Sequence, residues 1–373
     1  MTPIQESIIN KKTANKPIWL MRQAGRYLPE FKEIRKLNPD FINLCLNEDL
    51  SSKITLQPLK RFKLDAAIIF SDILMVPYGL NQKIKFKKNF GPKLGLLNLE
   101  KISNVDETDF LNKLHPIYKS IKKVKENILT NNKDVIGFIG APWTLLVYMI
   151  NKHSPKKELI RDFFEDKFLI NNKDIIGFIG APWTLLVYMI NKHSPKKKLK
   201  KDFFKDELLI NKMLIILEKF LKIHIKHQIK NGATIIQIFD SWAGLLKEKD
   251  LPNYVYAPTL NLVNYVKSLN VPVICFPRGI KKYKNFCEIV KPDAVNIDYD
   301  VNPISIAKEI QIPVQGGLNP KVLLYDKENL KKEALKYLNI FKDHPYIFNL
   351  GHGVVPKTDP MKVDYLVKLV KDY

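Results

Sequence analysis

Short apolar runs that stop abruptly in polar residues recur from one end of this chain to the other, separated by segments with helical periodicity. They occupy positions 18–21, 65–70, 234–239, 273–276, 294–297, 313–315 and 346–350, together with a Gly-Phe-Ile-Gly run that occurs twice, at 137–140 and 177–180. Strands that are apolar on both faces belong in a parallel sheet covered by helices on both sides. Counting one copy of the duplicated run gives eight strands, the number that closes a (β/α)8 barrel in a chain of 373 residues. The expected fold class is α/β: a single TIM barrel domain over residues 1–373, carrying an extra tandem-duplicated strand–helix unit. An open doubly wound sheet is the alternative, but no dinucleotide-type glycine fingerprint follows the first strand.

The duplication constrains the fold further. Residues 131–170 and 171–210 align without a gap, and 33 of the forty pairs are identical. Each copy reads as a strand, a turn at Ala-Pro-Trp-Thr, and a helix. Solenoids stack three or more diverged units, so two near-identical copies point to a recent tandem duplication. Most differences fall in one charged stretch, where Glu158, Ile160, Arg161 and Glu165 become Lys198, Lys200, Lys201 and Lys205. The change from Ile160 to Lys200 marks a position that faces water in at least one copy. A closed barrel has room for one copy. The first joins directly to the helix before it and the second to the helix after it, so both assignments stay open. The balance leans to the second copy in the barrel, with residues 131–170 extruded. The surplus apolar run then needs cover, from a second layer or a dimer partner.

Elsewhere, residues 1–16 read as a polar lead-in, 31–58 as helix broken at Pro39, and the irregular stretch up to about 105 as loops or a hairpin. Helical periodicity marks 110–129, 212–231, 254–269, 331–341 and 360–371, with Gly232 placed to cap the second of these.

Hydrophobic residues make up 46% of the chain, enough for a large core, and the net charge is +23. Nucleic-acid binding would cluster Lys and Arg with aromatics on one face. Membrane-surface binding would need a basic amphipathic helix. The lysines are instead scattered over every helical segment, which favours neither a nucleic-acid nor a membrane partner. A polyanionic small substrate needs only a few arginines at strand ends. Cys45, Cys275 and Cys287 are too few and too widely spaced for a disulfide framework or a zinc-type pair. The first twenty residues hold no apolar signal core, and the longest mostly apolar run, 135–150, is too short to span a bilayer. The expectation is a soluble, cytoplasmic protein without a metal.

Chemistry-bearing residues follow the strands. Arg22, Asp72, Ser241, Arg278 and His352 each lie just past the C-terminal end of a different strand, and in a TIM barrel those ends converge on the active-site face. Singly, each has a plainer explanation: Asp72 and Ser241 as helix N-caps, His352 as a tight-turn residue between two glycines. The first strand carries the densest group. Arg22 and Arg26 sit four apart with Gly25 between them, bracketed by Pro17 and Pro29. A guanidinium is a planar fork of donors, so the pair suits a carboxylate or phosphate; solvated arginines at a strand end are the alternative.

The segment from Met21 to Glu30, MRQAGRYLPE, closely resembles the N-terminal signature of the uroporphyrinogen decarboxylase family. Further segments match that family in order: AAIIFSDIL at 66–74, GFIGAPWTL at 137–145 and 177–185, FDSWAG at 239–244 and FNLGHGVVP at 348–356. The resemblance is therefore global. It departs at 315–320, which reads QGGLNP where the family reads QGNLDP, so Gly317 and Asn319 replace an amide and an acid.

The resemblance implies a porphyrin-pathway carboxy-lyase that converts uroporphyrinogen III to coproporphyrinogen III without metal or organic cofactor. It implies that Asp72 is catalytic, facing the pyrrole N–H groups, and that Arg22 and Arg26 bind substrate carboxylates. Both arginines also count as catalytic, by orienting rather than by donating protons, because a guanidinium pKa lies above ~12. Gln23, Ala24, Gly25, Phe70, Ser241 and His352 complete the implied substrate contacts, with the tyrosine of GAPWTLxxY present twice, as Tyr148 and Tyr188. Phe70 would line an apolar wall, and a homodimer is implied too. Two other functions stay open. One is a zinc methyltransferase of the same superfamily, for which Cys275 and Cys287 lack a His-x-Cys partner. The other is a tetrapyrrole binder whose catalysis the duplication has abolished.

Overall fold

The computed structural model describes residues 1–12, 14, 16–87, 91–95, 98–128, 132–151 and 207–373. Among them are nine strands: β1 (Ala66–Ile68), β2 (Ile84–Lys87), β3 (Gly91–Leu94), β4 (Asp134–Gly140), β5 (Ile235–Asp240), β6 (Val273–Pro277), β7 (Ala294–Ile297), β8 (Val314–Gly316) and β9 (Tyr346–Ile347). Seven of them form one curled sheet in the order β1-β4-β5-β6-β7-β8-β9, parallel at every pairing. Helices intervene between successive strands, so this is a TIM-barrel-like α/β fold. The strands of the sheet are buried over nearly their whole length, as their unbroken apolar runs require. β2 and β3 form a separate antiparallel hairpin within the stretch that lacks clear periodicity.

Residues 17–19 bond to both edges of the sheet. On one side Phe348 N–H donates to Pro17 O at 2.8 Å, with a parallel bridge between Ile18 and Phe348. On the other, Asp65 N–H donates to Ile18 O at 2.9 Å and Ile18 N–H donates to Asp65 Oδ2 at 2.7 Å. Inside the curl runs a chain of fully buried amides. Trp19 Nε1 donates to Gln315 Oε1 at 3.0 Å, and Gln315 Nε2 donates to Asn296 Oδ1 at 2.7 Å and Gln237 Oε1 at 3.2 Å. Around them pack Ile68, Ile136, Ile235, Ile274, Phe276 and Ile347.

The strand between β1 and β5 comes from the first copy of the duplication. This corrects the leaning from sequence towards the second copy. β4 is anchored at its start by Asp134, which is fully buried: Thr234 Oγ1 donates to its Oδ1 at 2.7 Å and Thr2 Oγ1 hydrogen-bonds to Oδ2. Further along, Phe138 N–H donates to Gln228 Oε1 at 2.9 Å, tying the strand to helix Glu207–Lys230. Residues 152–206 lie outside the described residues, and Tyr188, Lys198, Lys200, Lys201 and Lys205 fall among them.

Helices Glu107–Ile128, Glu207–Lys230, Ala257–Ser268, Lys327–Ile340 and Pro360–Lys371 stand where helical periodicity places them. Gly232 follows the second at φ +115°, a conformation that favours glycine. The segment broken at Pro39 resolves into helices Pro29–Leu37, Phe41–Cys45 and Glu48–Arg61, the last two capped by Asp40 and Asn47. The polar lead-in needs correcting. Thr2 and Gln5 form a capping box that starts helix Pro3–Ile9, and Ile4 and Ile8 reach the apolar interior of the sheet. Lys16 is 6% exposed and caps the segment after helix Lys327–Ile340, donating to Phe341 O and Lys342 O at 2.8 Å and to His344 O at 3.1 Å.

Candidate active site

The arginine loop is built by Gln23. Its N–H donates to Leu20 O at 2.9 Å, its Oε1 accepts Leu20 N–H at 3.0 Å, and its Nε2 donates to Ala66 O at 2.9 Å. The side chain is fully buried, so its amide serves the turn and β1. Arg22 within that turn has φ +60°, a left-handed conformation that strains a residue with a Cβ. Gly25 cannot be larger, because a Cβ there would lie 2.9 Å from Arg22 O. Met21 ties the loop to the last strand: its N–H donates to Asn349 Oδ1 at 2.9 Å and its carbonyl accepts Val354 N–H at 2.9 Å. Ala24 is half-buried, and Arg22 and Arg26 keep solvent contact.

Phe70 and Asp72 leave β1 together. Phe70 is locked at the backbone, with its N–H donating to Thr55 Oγ1 at 2.8 Å and its carbonyl accepting Ser51 Oγ–H at 2.7 Å. Its ring packs edge-on against Phe31 and Phe41 at 5.6 and 5.7 Å. Asp72 Oδ1 accepts Leu74 N–H at 2.9 Å within the turn before helix Met75–Gly79. The N-cap of that helix is Leu74, without a side-chain bond, so Asp72 is not the helix N-cap that its sequence position suggested. Water reaches part of its surface, but protein surrounds the carboxyl on most sides. Burial pushes its pKa up to about 6, against the pull of the Leu74 N–H and of the Arg22 charge.

Arg22 is the centre of the cluster. Enclosure by protein lowers its pKa; Tyr148 and Asp72 act against that, while Arg26 and Arg278 reinforce it by like-charge repulsion. His352 is half-buried at the end of the last strand, and burial, then Arg22 and Arg278, hold its pKa down at about 3. It is therefore a neutral imidazole at physiological pH. Arg22 thus lies within electrostatic reach of Arg26, Asp72, Tyr148, Arg278 and His352.

Ser241 is half-buried and directly follows β5. Around it lies a hydrogen-bonded frame that motif reading did not single out. Thr144 Oγ1 donates to Asp240 Oδ1 at 2.7 Å and accepts Trp242 N–H at 3.2 Å. Trp143 Nε1 donates to Trp242 O at 2.7 Å, and the Trp242 ring meets Tyr148 edge-on at 6.1 Å. Helix Pro142–Asn151, which carries Tyr148, is thereby fixed to the end of β5. Asp240 is 3% exposed, its Oδ2 has no partner among the described residues, and burial pushes its pKa up to about 7. The available signal was its place as the last residue of a buried strand. Arg278 directly follows β6, and Gly353 packs against the Arg22 side chain.

A cavity of 710 Å³ lies at the other end of the sheet, lined by Ile8, Val271, Cys287, Pro292 and Ile312 among others, and holds none of these residues. Among the described residues no group of three His, Cys, Asp or Glu side chains is placed to hold a metal, and no helix is long and apolar enough to cross a membrane. Asn319, from the departing loop, caps the turn Pro320–Leu324 by accepting Lys321 N–H, and Gly317 takes φ +97°.

Comparison with known proteins bears on the fold and the family. Among solved structures, a methyltransferase from Methanosarcina mazei superposes with a TM-score of 0.73 at 14% identity, covering 99% of this chain and 97% of its own, which supports the fold alone. A uroporphyrinogen decarboxylase from Rickettsia bellii is 37% identical over 381 residues, covering 100% of this chain and 99% of its own. One from Rickettsia felis is 36% identical over 378 residues, covering 99% and 97%. The uroporphyrinogen decarboxylase family model matches residues 2–169 and again 166–373, two ranges that overlap by a few residues near the junction of the two copies. By these matches along its whole length, the chain belongs to the uroporphyrinogen decarboxylase family.

Proposed function

We propose that this chain removes the four acetate carboxylates of uroporphyrinogen III, giving coproporphyrinogen III in porphyrin biosynthesis. The observation that carries the proposal is the convergence of Asp72, Tyr148, His352 and further arginines on Arg22. A pyrrole is electron-rich, so protonating a ring carbon makes a cationic electron sink. The C–C bond to the acetate carboxylate then breaks, CO2 leaves, and the electron pair forms an exocyclic double bond that neutralises the ring. A second proton on that methylene completes the methyl, and loss of the first proton from the ring carbon restores the pyrrole, so each acetate consumes one proton. The reaction needs charge stabilisation and proton delivery. Asp72, titrating near neutrality, supplies a carboxylate to accept the pyrrole N–H groups and stabilise the cation. Arg22 and Arg26 hold substrate carboxylates, and Ser241, Tyr148 and neutral His352 offer uncharged hydrogen bonds. Phe70 contributes an apolar wall through the ring packed on Phe31 and Phe41. Gln23, Ala24 and Gly25 shape the arginine loop, and their substrate contacts run through backbone groups.

In this reading residues 17–19 act as the eighth strand position, closing a single barrel domain over 1–373 with the second copy as an insertion. The enzyme works as a cytoplasmic homodimer. The test is anaerobic incubation with uroporphyrinogen III, products being resolved by carboxylate number, for the full chain, a variant lacking residues 171–210, and the variants Tyr148→Phe and Tyr188→Phe. Four-carboxylate product that is lost in Tyr148→Phe but kept in Tyr188→Phe supports the whole assignment. Activity in the deletion variant alone means that the duplication has impaired a decarboxylase. Folded proteins that never release CO2 overturn the function.

A further inference from the structure

Arg278 is the strand-end residue to which the chemistry above gives no task. Its backbone joins two loops: its N–H donates to Asp240 O at 3.0 Å and its carbonyl accepts Gly244 N–H at 3.0 Å. The clasp is tight, because a Cβ on Gly244 would lie 2.5 Å from Gly279 O, and Gly279 itself has φ +79°. The side chain is held as firmly. Its Nε donates to Asp298 Oδ2 at 3.1 Å. Asp298 is 3% exposed and is itself fixed, with its Oδ1 accepting Tyr299 N–H at 2.8 Å and its own N–H donating to Tyr283 Oη at 3.2 Å.

An arginine anchored through Nε on a buried carboxylate presents its two Nη nitrogens in a defined direction. Those nitrogens have no hydrogen-bond partner among the described residues. The guanidinium is half-buried and directly follows β6, at the same end of the sheet as Arg22 and His352, close enough for its charge to act on both. Three guanidinium groups therefore share that space, against Asp72 beside Arg22 and Asp298 beside Arg278. Their repulsion is relieved by a ligand that brings several carboxylates at once.

We propose that Arg278, oriented by Asp298, is a further substrate-binding residue that takes one carboxylate of the tetrapyrrole on its free Nη edge. This rests on the function proposed above. The competing explanation is an ion pair that only joins the loops after β6 and β7.

The experiment compares wild type, Arg278→Gln and the double variant Arg278→Gln/Asp298→Asn, which leaves no unpaired buried charge. Steady-state kinetics with uroporphyrinogen III are expected to show KM raised about tenfold in both variants, with kcat changed by less than about threefold, the scale of one lost charge-assisted hydrogen bond. Arg278→Lys, which keeps the charge but not the fork, is expected between wild type and Arg278→Gln. A KM in Arg278→Gln within about twofold of wild type, or one restored in the double variant, overturns the proposal. Uroporphyrin binding, read by quenching of tryptophan fluorescence, runs beside the kinetics. If wild type binds without releasing CO2, the function falls while the affinity ratio still decides on Arg278. A wild type that neither releases CO2 from uroporphyrinogen III nor binds uroporphyrin overturns both.

Discussion

The side chain of Arg22 lies across Gly353: a Cβ built on that glycine would sit 2.3 Å from Arg22 Cδ and 2.9 Å from Nε. The obstructing atoms belong to a flexible side chain, so Gly353→Ala is expected to fold with little change in Tm. Arg22 must swing away to make room. A shift of ~1 Å in a positioning group can cost about a hundredfold, so kcat/KM is expected to fall ten- to a hundredfold. Kinetics unchanged from wild type would show that the position of Arg22 does not matter.

Under the proposed function, Asp72 is expected to set the acid limb of activity. In that proposal its carboxylate form accepts the pyrrole N–H groups, and its pKa is pushed up to about 6. The kcat/KM profile is expected to decline below about pH 6. His352, held at about 3, contributes nothing to that limb. Asp72→Asn should remove the limb and lower kcat by about a hundredfold or more. A limb that survives in Asp72→Asn assigns the titration elsewhere.

The contact between Thr144 and Asp240 predicts a stability signature. The folded state raises the Asp240 pKa from 3.8 to about 7, so it keeps a proton that the unfolded chain releases between those values. Stability therefore falls as pH rises from about 4 to 7. Asp240→Asn keeps the acceptor for Thr144 and removes the charge, so its stability relative to wild type should be greater at pH 8 than at pH 4, by about 1–3 kcal/mol. Thr144→Val strips Oδ1 of its donor and is expected to cost about 1–3 kcal/mol. Urea titrations at the two pH values check both.

Lys16 gives a prediction away from the site. Its ammonium satisfies three carbonyls after helix Lys327–Ile340. Lys16→Met keeps the bulk and leaves those acceptors without it, at an expected cost of about 2–3 kcal/mol. The urea midpoint should drop with no change in KM.

Much of this protein is local and therefore legible in one dimension. Apolar run lengths mark the strands, and caps at Asp40, Asn47, Asp326 and Asp359 depend on neighbours within a few residues. The polar residues past the strand ends mark the candidate site for the same reason. Other features needed the third dimension. Gln23 matches the family motif, yet only the fold shows its amide spent on Leu20 and Ala66. Lys16 looks like a solvated charge until residues more than three hundred positions away supply its carbonyls. Arg278 acquires its orientation from Asp298, twenty residues on. The choice of repeat copy was the least legible of all. Residues 134–151 and 174–191 differ only at Val135 and Ile175, so both copies offer Thr2, Thr234 and Gln228 the same partners. Identical segments have identical local propensities, and only tertiary pairing distinguishes the copy that enters the sheet.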